Sequence, residues 1–151
     1  MPARAGASLR LQVPPDAQCG RSVRESVVEF TSAHAVSAID TDEFVTAVSE
    51  ALANAIEHSG SDNIEITCWI GAGDQLLATV VDHGIGFAAD EAMGRPPALD
   101  LLAERGRGLP IMRRFTDLCS IRSAPGKGTT VTLGRHVRYG RANGDRSALV
   151  S

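Results

Sequence analysis

Glu50, Asn54 and His58 fall four residues apart in a stretch of helical pattern, so they stack along one face of a single helix. Asn is a poor residue inside a helix because its side chain competes with the backbone. Its place one turn after a Glu suggests polar work. A neutral amide oxygen suits a hard cation that also holds phosphate oxygens, and Mg²⁺ takes few protein ligands in this way. Glu50, beside such phosphates, can orient a hydroxyl or a water as a base. Taken alone, the three residues read better as a solvated helix face with ordinary polar pairs.

Three glycine clusters follow in order. Asp82 ends an apolar run and precedes Gly84 and Gly86. A carboxylate there can accept from an exocyclic amino group such as that of adenine, and glycines let the backbone approach a flat ring. The plain alternative is an Asp-Gly turn. Arg105-Gly106-Arg107-Gly108-Leu109 opens a predicted helix. Backbone N–H groups and the helix dipole favour phosphate at such a place, and Arg105 and Arg107 can add charge-assisted contacts. Its bland counterpart is a glycine-rich helix entry with two solvated arginines. Gly128-Thr129-Thr130 opens the last predicted strand. The Thr can reach a base edge directly or through water, or can be a strand-favouring pair after a turn. No Walker-type phosphate loop is present, and Gly84 and Gly86 do not lead straight into a helix as in a dinucleotide fold. Any single cluster is weak in a chain with 15 glycines. The ordered set of four describes an ATP pocket.

The elements that must position these residues are legible as patterns. Residues 8–13 alternate and read as a strand, stopped by Pro14 and Pro15. Asp16 is expected to cap a helix carrying Val23, Val27 and Phe30, which His34 ends. Asp40-Thr41-Asp42-Glu43 has the form of a capping box for a helix running to about His58, with Val45, Val48, Leu52, Ala55 and Ile56 as its apolar stripe. Two strands follow, over residues 64–70 and 76–81, joined by a turn at 71–74. Residues 87–105 include Gly94-Arg95-Pro96-Pro97 and read as a long functional loop, a lid over the phosphates. Residues 109–115 are predicted helical, and 118–123 with 129–133 form a hairpin. The expected fold is an α+β two-layer sandwich: a mixed, mostly antiparallel sheet covered on one face by helices. Residues 1–134 form its single domain.

Bulk properties exclude several classes. A net charge of −3 argues against a nucleic-acid surface. No apolar run approaches a membrane span and the start lacks a signal-peptide core, so the expectation is a cytoplasmic protein. Cys19, Cys68 and Cys119 are far apart and odd in number, which indicates neither a zinc site nor a disulfide framework. From Arg135 onward the chain is Arg-rich, with Arg138, Arg141 and Arg146, and the stretch 135–151 is expected to be a disordered tail.

Taken together, the four clusters resemble the GHKL ATPase superfamily over roughly residues 8–134 and imply its Bergerat-type ATP-binding fold. The resemblance implies that Glu50 is catalytic, that Asn54 binds Mg²⁺ and that Asp82 binds adenine with Gly84 and Gly86. It makes Gly106 and Gly108 the lid hinge at the phosphates, and Thr129 a contact near adenine. Within the superfamily, Glu-Ala-Leu-Ala-Asn-Ala-Ile-Glu-His, Val-Val-Asp-His-Gly-Ile-Gly-Phe and Arg-Gly-Arg-Gly-Leu-Pro-Ile-Met-Arg are similar to the anti-sigma factor serine/threonine kinase branch. That branch implies an ATP- and Mg²⁺-dependent kinase acting on a small anti-anti-sigma partner. It also implies sequestration of a sigma factor by a homodimer. The alternative is a nucleotide-binding switch module with little or no phosphotransfer. A sensor histidine kinase needs a phosphoacceptor hairpin for which the residues before Ser8 are too few.

Overall fold

The computed structural model describes residues 7–58, 63–84 and 108–139, with backbone alone for His58, Gly108 and Leu109. In chain order it holds β1 (Ser8–Val13), α1 (Cys19–Ala33), α2 (Ala38–His58), β2 (Ile64–Gly71) and β3 (Gln75–Asp82). After these come α3 (Gly108–Phe115), β4 (Leu118–Ser123) and β5 (Thr129–His136). The expected lid, residues 87–105, lies outside the described residues.

The strands form one sheet in the order β1-β2-β3-β5-β4, and all four pairings are antiparallel. The expected α+β sandwich with a mostly antiparallel sheet is what the described residues form, and the connections explain why every pairing among the described strands is antiparallel. Val13 pairs with Ile64, so β1 ends where β2 begins. Two helices, one out and one back, return the chain to that same end. β3 and β4 do run in the same direction, but β5 lies between them and pairs with both.

Period-two burial puts Ile64, Ile66, Cys68 and Ile70 of β2 and Leu76, Ala78 and Val80 of β3 against the helices. α2 answers with Phe44, Val48, Leu52 and Ala55, α1 with Val23, Val27 and Phe30, and α3 with Met112. The expected stripe on α2 holds, with Ile56 partly buried at its border. Burial pushes the Cys68 thiol up to about 12, as expected of a cysteine that serves as a small hydrophobe.

Two helix starts differ from expectation. Asp16 does not cap α1; its carboxylate accepts the Gln18 N–H at 2.9 Å, a local turn, and the helix begins at Cys19. α2 begins two residues before Asp40. Ser37 Oγ accepts the Asp40 N–H at 3.2 Å and donates to Asp40 Oδ2 at 2.9 Å, so Ser37 is the cap and Asp40 the third helical residue. The cap thus lies three residues earlier than the Asp40-to-Glu43 spacing suggests, and the Ser37 N–H donates to the Arg138 carbonyl at 2.8 Å rather than to Asp40.

The expected tail boundary falls inside β5, which continues to His136. Arg135 joins the domain through ion pairs with Asp40 and Glu43, and Tyr139 bridges to Val36. Among the described residues no helix is long and apolar enough to cross a membrane.

Candidate nucleotide site

The strand registers sort the molecule into two ends. Asp82 pairs with Thr129 and Glu65 with Val81, so β3 ends, and β2 and β5 begin, at one end of the sheet. α2 delivers the chain to β2, so its second half, with Glu50, Asn54 and His58, reaches that same end. The opposite end holds Leu118, Gly134 and Leu77, and there α3 hands the chain to β4. α3 therefore runs away from the Asp82 end, with Gly108 as its near terminus. Among the described residues, the second half of α2, Asp82 of β3, the Gly108 end of α3 and Thr129 of β5 come to one rim from four separate elements.

Asp82 shares the parity of Leu76, Ala78 and Val80, so it faces the helices, and it is buried. An apolar residue in that place would contribute about 1.5–3 kcal/mol by burial. A carboxylate there gives up that gain and argues for a polar task. Asp82 Oδ1 accepts the Gly84 N–H at 2.9 Å, which orients the carboxylate and turns the chain out of β3. An ionised carboxylate has lone pairs for several donors, as an exocyclic amine requires.

Gly128 presses against this turn. It has φ +78°, and a Cβ there would overlap the Asp82 carbonyl oxygen and lie 2.9 Å from His83 Cα. Only glycine allows that approach. Thr129, next in chain, faces the same side as Asp82. Its hydroxyl meets Ser123 Oγ at 2.8 Å, and Ser123 Oγ also donates to the Gly128 carbonyl at 3.0 Å. Ser123 thus fixes Thr129 beside Asp82. Nothing in the sequence marks Ser123, because the contact exists only across the β4–β5 hairpin.

Glu50 and Asn54 are both half-buried, on the flank between the buried stripe of α2 and its exposed residues Ala53 and Glu57. Among the described residues no three His, Cys, Asp or Glu side chains gather to hold a metal. The polar group here suits a cation carried in by phosphates and touched by one amide oxygen, the habit of Mg²⁺.

Thr130 pairs with Val81 and so takes the outer face of the sheet, away from Asp82 and Thr129. The structure does not bring it to the site. Gly86, Arg105, Gly106 and Arg107 lie outside the described residues. Gly108 and Leu109 are described by backbone alone, as the first turn of α3.

The sequence profile of the histidine kinase-like ATPase domain matches residues 13–135. The chain belongs to that family. It is also similar to anti-sigma F factors: the protein from Bacillus subtilis (strain 168) is 32% identical over 131 residues, covering 80% of this chain and 90% of that one. The anti-sigma F factor of Geobacillus thermodenitrificans (strain NG80-2) is 36% identical over 135 residues, with 81% and 90% covered. These relatives place the chain in the anti-sigma branch of the GHKL ATPases, with the ATP-binding fold of that group. Among solved structures, the RsbU and RsbW domains of Rv1364c from Mycobacterium tuberculosis superpose with a TM-score of 0.67 at 21% identity, over 87% of this chain and 32% of that one. A chain of the SiaB-SiaC complex from Pseudomonas aeruginosa gives 0.58 at 11% identity, over 86% of this chain and 89% of that one. At such identities these two likenesses speak to the fold, and they agree on it.

Proposed function

We propose that this protein is an ATP-dependent serine/threonine kinase and anti-sigma factor that phosphorylates an anti-anti-sigma partner and sequesters a sigma factor as a homodimer in the cytoplasm. The observation that carries the proposal is the convergence of half-buried Glu50 and Asn54 on the rim where buried Asp82 lies beside Thr129. The kinship with anti-sigma F factors supports the partner class.

In this reading Asp82 accepts from the adenine amino group, and Thr129, steadied by Ser123, completes the base edge. The Gly128 approach keeps the turn after β3 tight against β5. Asn54 lends its amide oxygen to Mg²⁺, which supplies charge neutralisation at the phosphates. The N-terminus of α3 at Gly108 offers backbone N–H groups and a favourable dipole to them. Arg105, Gly106 and Arg107 keep their assignment to the same phosphates. Glu50 accepts the proton of the partner's Ser or Thr hydroxyl as its oxygen attacks the γ-phosphorus, and ADP leaves with the bridging oxygen.

The test is direct. The protein is incubated with γ-labelled ATP, Mg²⁺ and an anti-anti-sigma protein encoded nearby, and the acceptor residue is mapped. Label on a Ser or Thr of the partner is the expected result. Tight ATP and partner binding without label would return the non-transferring switch in its place.

A further inference from the structure

Arg135 of β5 is bound by two helices, α2 and α3, at the end of the molecule opposite Asp82. Its Nε donates to Asp40 Oδ1 at 2.9 Å, and its Nη2 lies 2.8 Å from the same oxygen and 2.7 Å from Glu43 Oε1. Its Nη1 donates to the Phe115 carbonyl at 2.8 Å. One guanidinium on β5 therefore joins the first two turns of α2 to the last residue of α3.

We infer that Arg135 is a positioning residue for the phosphate end of the site: by fixing the far terminus of α3 to α2, it sets where Gly108 lies relative to Glu50 and Asn54. The inference rests on the nucleotide-site reading above. α3 has 8 residues, a length at which a helix is marginal without tertiary support. Its supports are buried Met112, half-buried Phe115 and the Arg135 contact. Eight residues span about 12 Å, so displacement at Phe115 is carried to Gly108 along a short, stiff rod. α2 is held by the same guanidinium, about three to four turns before Asn54. The two helices that bracket the phosphates thus share one reference point.

Stability alone does not call for this arrangement. A buried ion pair can often be exchanged for apolar residues without loss. What an apolar replacement cannot supply is a planar fork that fixes direction toward two carboxylates and a carbonyl at once. The location also suits a cation, because the Phe115 carbonyl lies at the negative end of the α3 dipole.

The experiment compares Mg²⁺-ATP and ADP affinity by calorimetry in the parent, Arg135→Met and Arg135→Lys, all well below their melting temperatures. A positioning role predicts that ADP affinity, set largely at Asp82, stays close to the parent. The preference for ATP over ADP should fall on the order of tenfold in Arg135→Met, the scale of a lost charged hydrogen bond. Arg135→Lys should recover part of it. If Arg135→Met does not fold, Arg135→Lys and Glu43→Gln carry the same comparison, with smaller losses expected. Lower melting temperatures with the parent's ATP preference intact would make Arg135 a structural tie only. A parent that binds no nucleotide would instead overturn the site reading itself.

Discussion

At the scale of single residues, Gly128 shows how much chemistry depends on a missing methyl. Its φ of +78° and its approach to the Asp82–His83 backbone each exclude a side chain. For Gly128→Ala, the left-handed backbone alone costs about 1–2 kcal/mol, and overlap with the Asp82 carbonyl adds to it. Melting should fall accordingly, and ATP and ADP affinity should fall together because the turn that aims Asp82 is displaced. A variant with unchanged affinity for both would separate Gly128 from the base pocket. Asp82, Gly128 and Thr129 were legible from sequence because a carboxylate at a strand end and glycines at turns are local signals. Thr130 was not separable from Thr129 without the register that turns it to the other face. Ser123 and Arg135 were invisible because their partners are distant in the chain.

At the scale of elements, α2 illustrates how a correct helix can be read with the wrong cap. Asp40 looked like a cap because a Glu follows three residues later, yet Ser37 does the capping. Asp40 instead sits buried among donors. Burial would raise its carboxyl, but the Arg138 N–H, the Ser37 hydroxyl and the Arg135 guanidinium outweigh this and hold it below its ordinary 3.8. A depressed folded value means that the stabilisation is fully present above the unfolded value and is lost as pH falls through the folded one. Denaturant unfolding of Asp40→Asn should therefore show a deficit against the parent at pH 7 that shrinks as the pH drops below about 4. A deficit constant down to pH 2 would mean that the charge of Asp40 contributes nothing. The strands and the length of α3 were readable because alternation and short apolar runs bounded by Gly and Pro are strong patterns.

At the scale of the whole molecule, the sheet order makes the site. Each helix runs between the two ends of the sheet, so α2 finishes, and α3 starts, at the rim where β3 stops. The two-layer architecture was legible from element order. The strictly antiparallel pairing was not, because the insertion of β5 between β3 and β4 is a matter of tertiary arrangement that no local pattern encodes. The far end is bound by Arg135, while the near end carries the polar groups, a division between anchoring and chemistry. The central claim is that this rim transfers phosphate with Glu50 as its base. The measurement that tests it most directly is phosphotransfer from γ-labelled ATP to the anti-anti-sigma partner by the parent and by Glu50→Gln. Gln keeps the shape and loses the basic oxygen, so transfer should fall by roughly 10²–10⁴-fold while ATP and partner binding persist. Transfer by Glu50→Gln at the parent's rate would contradict the account.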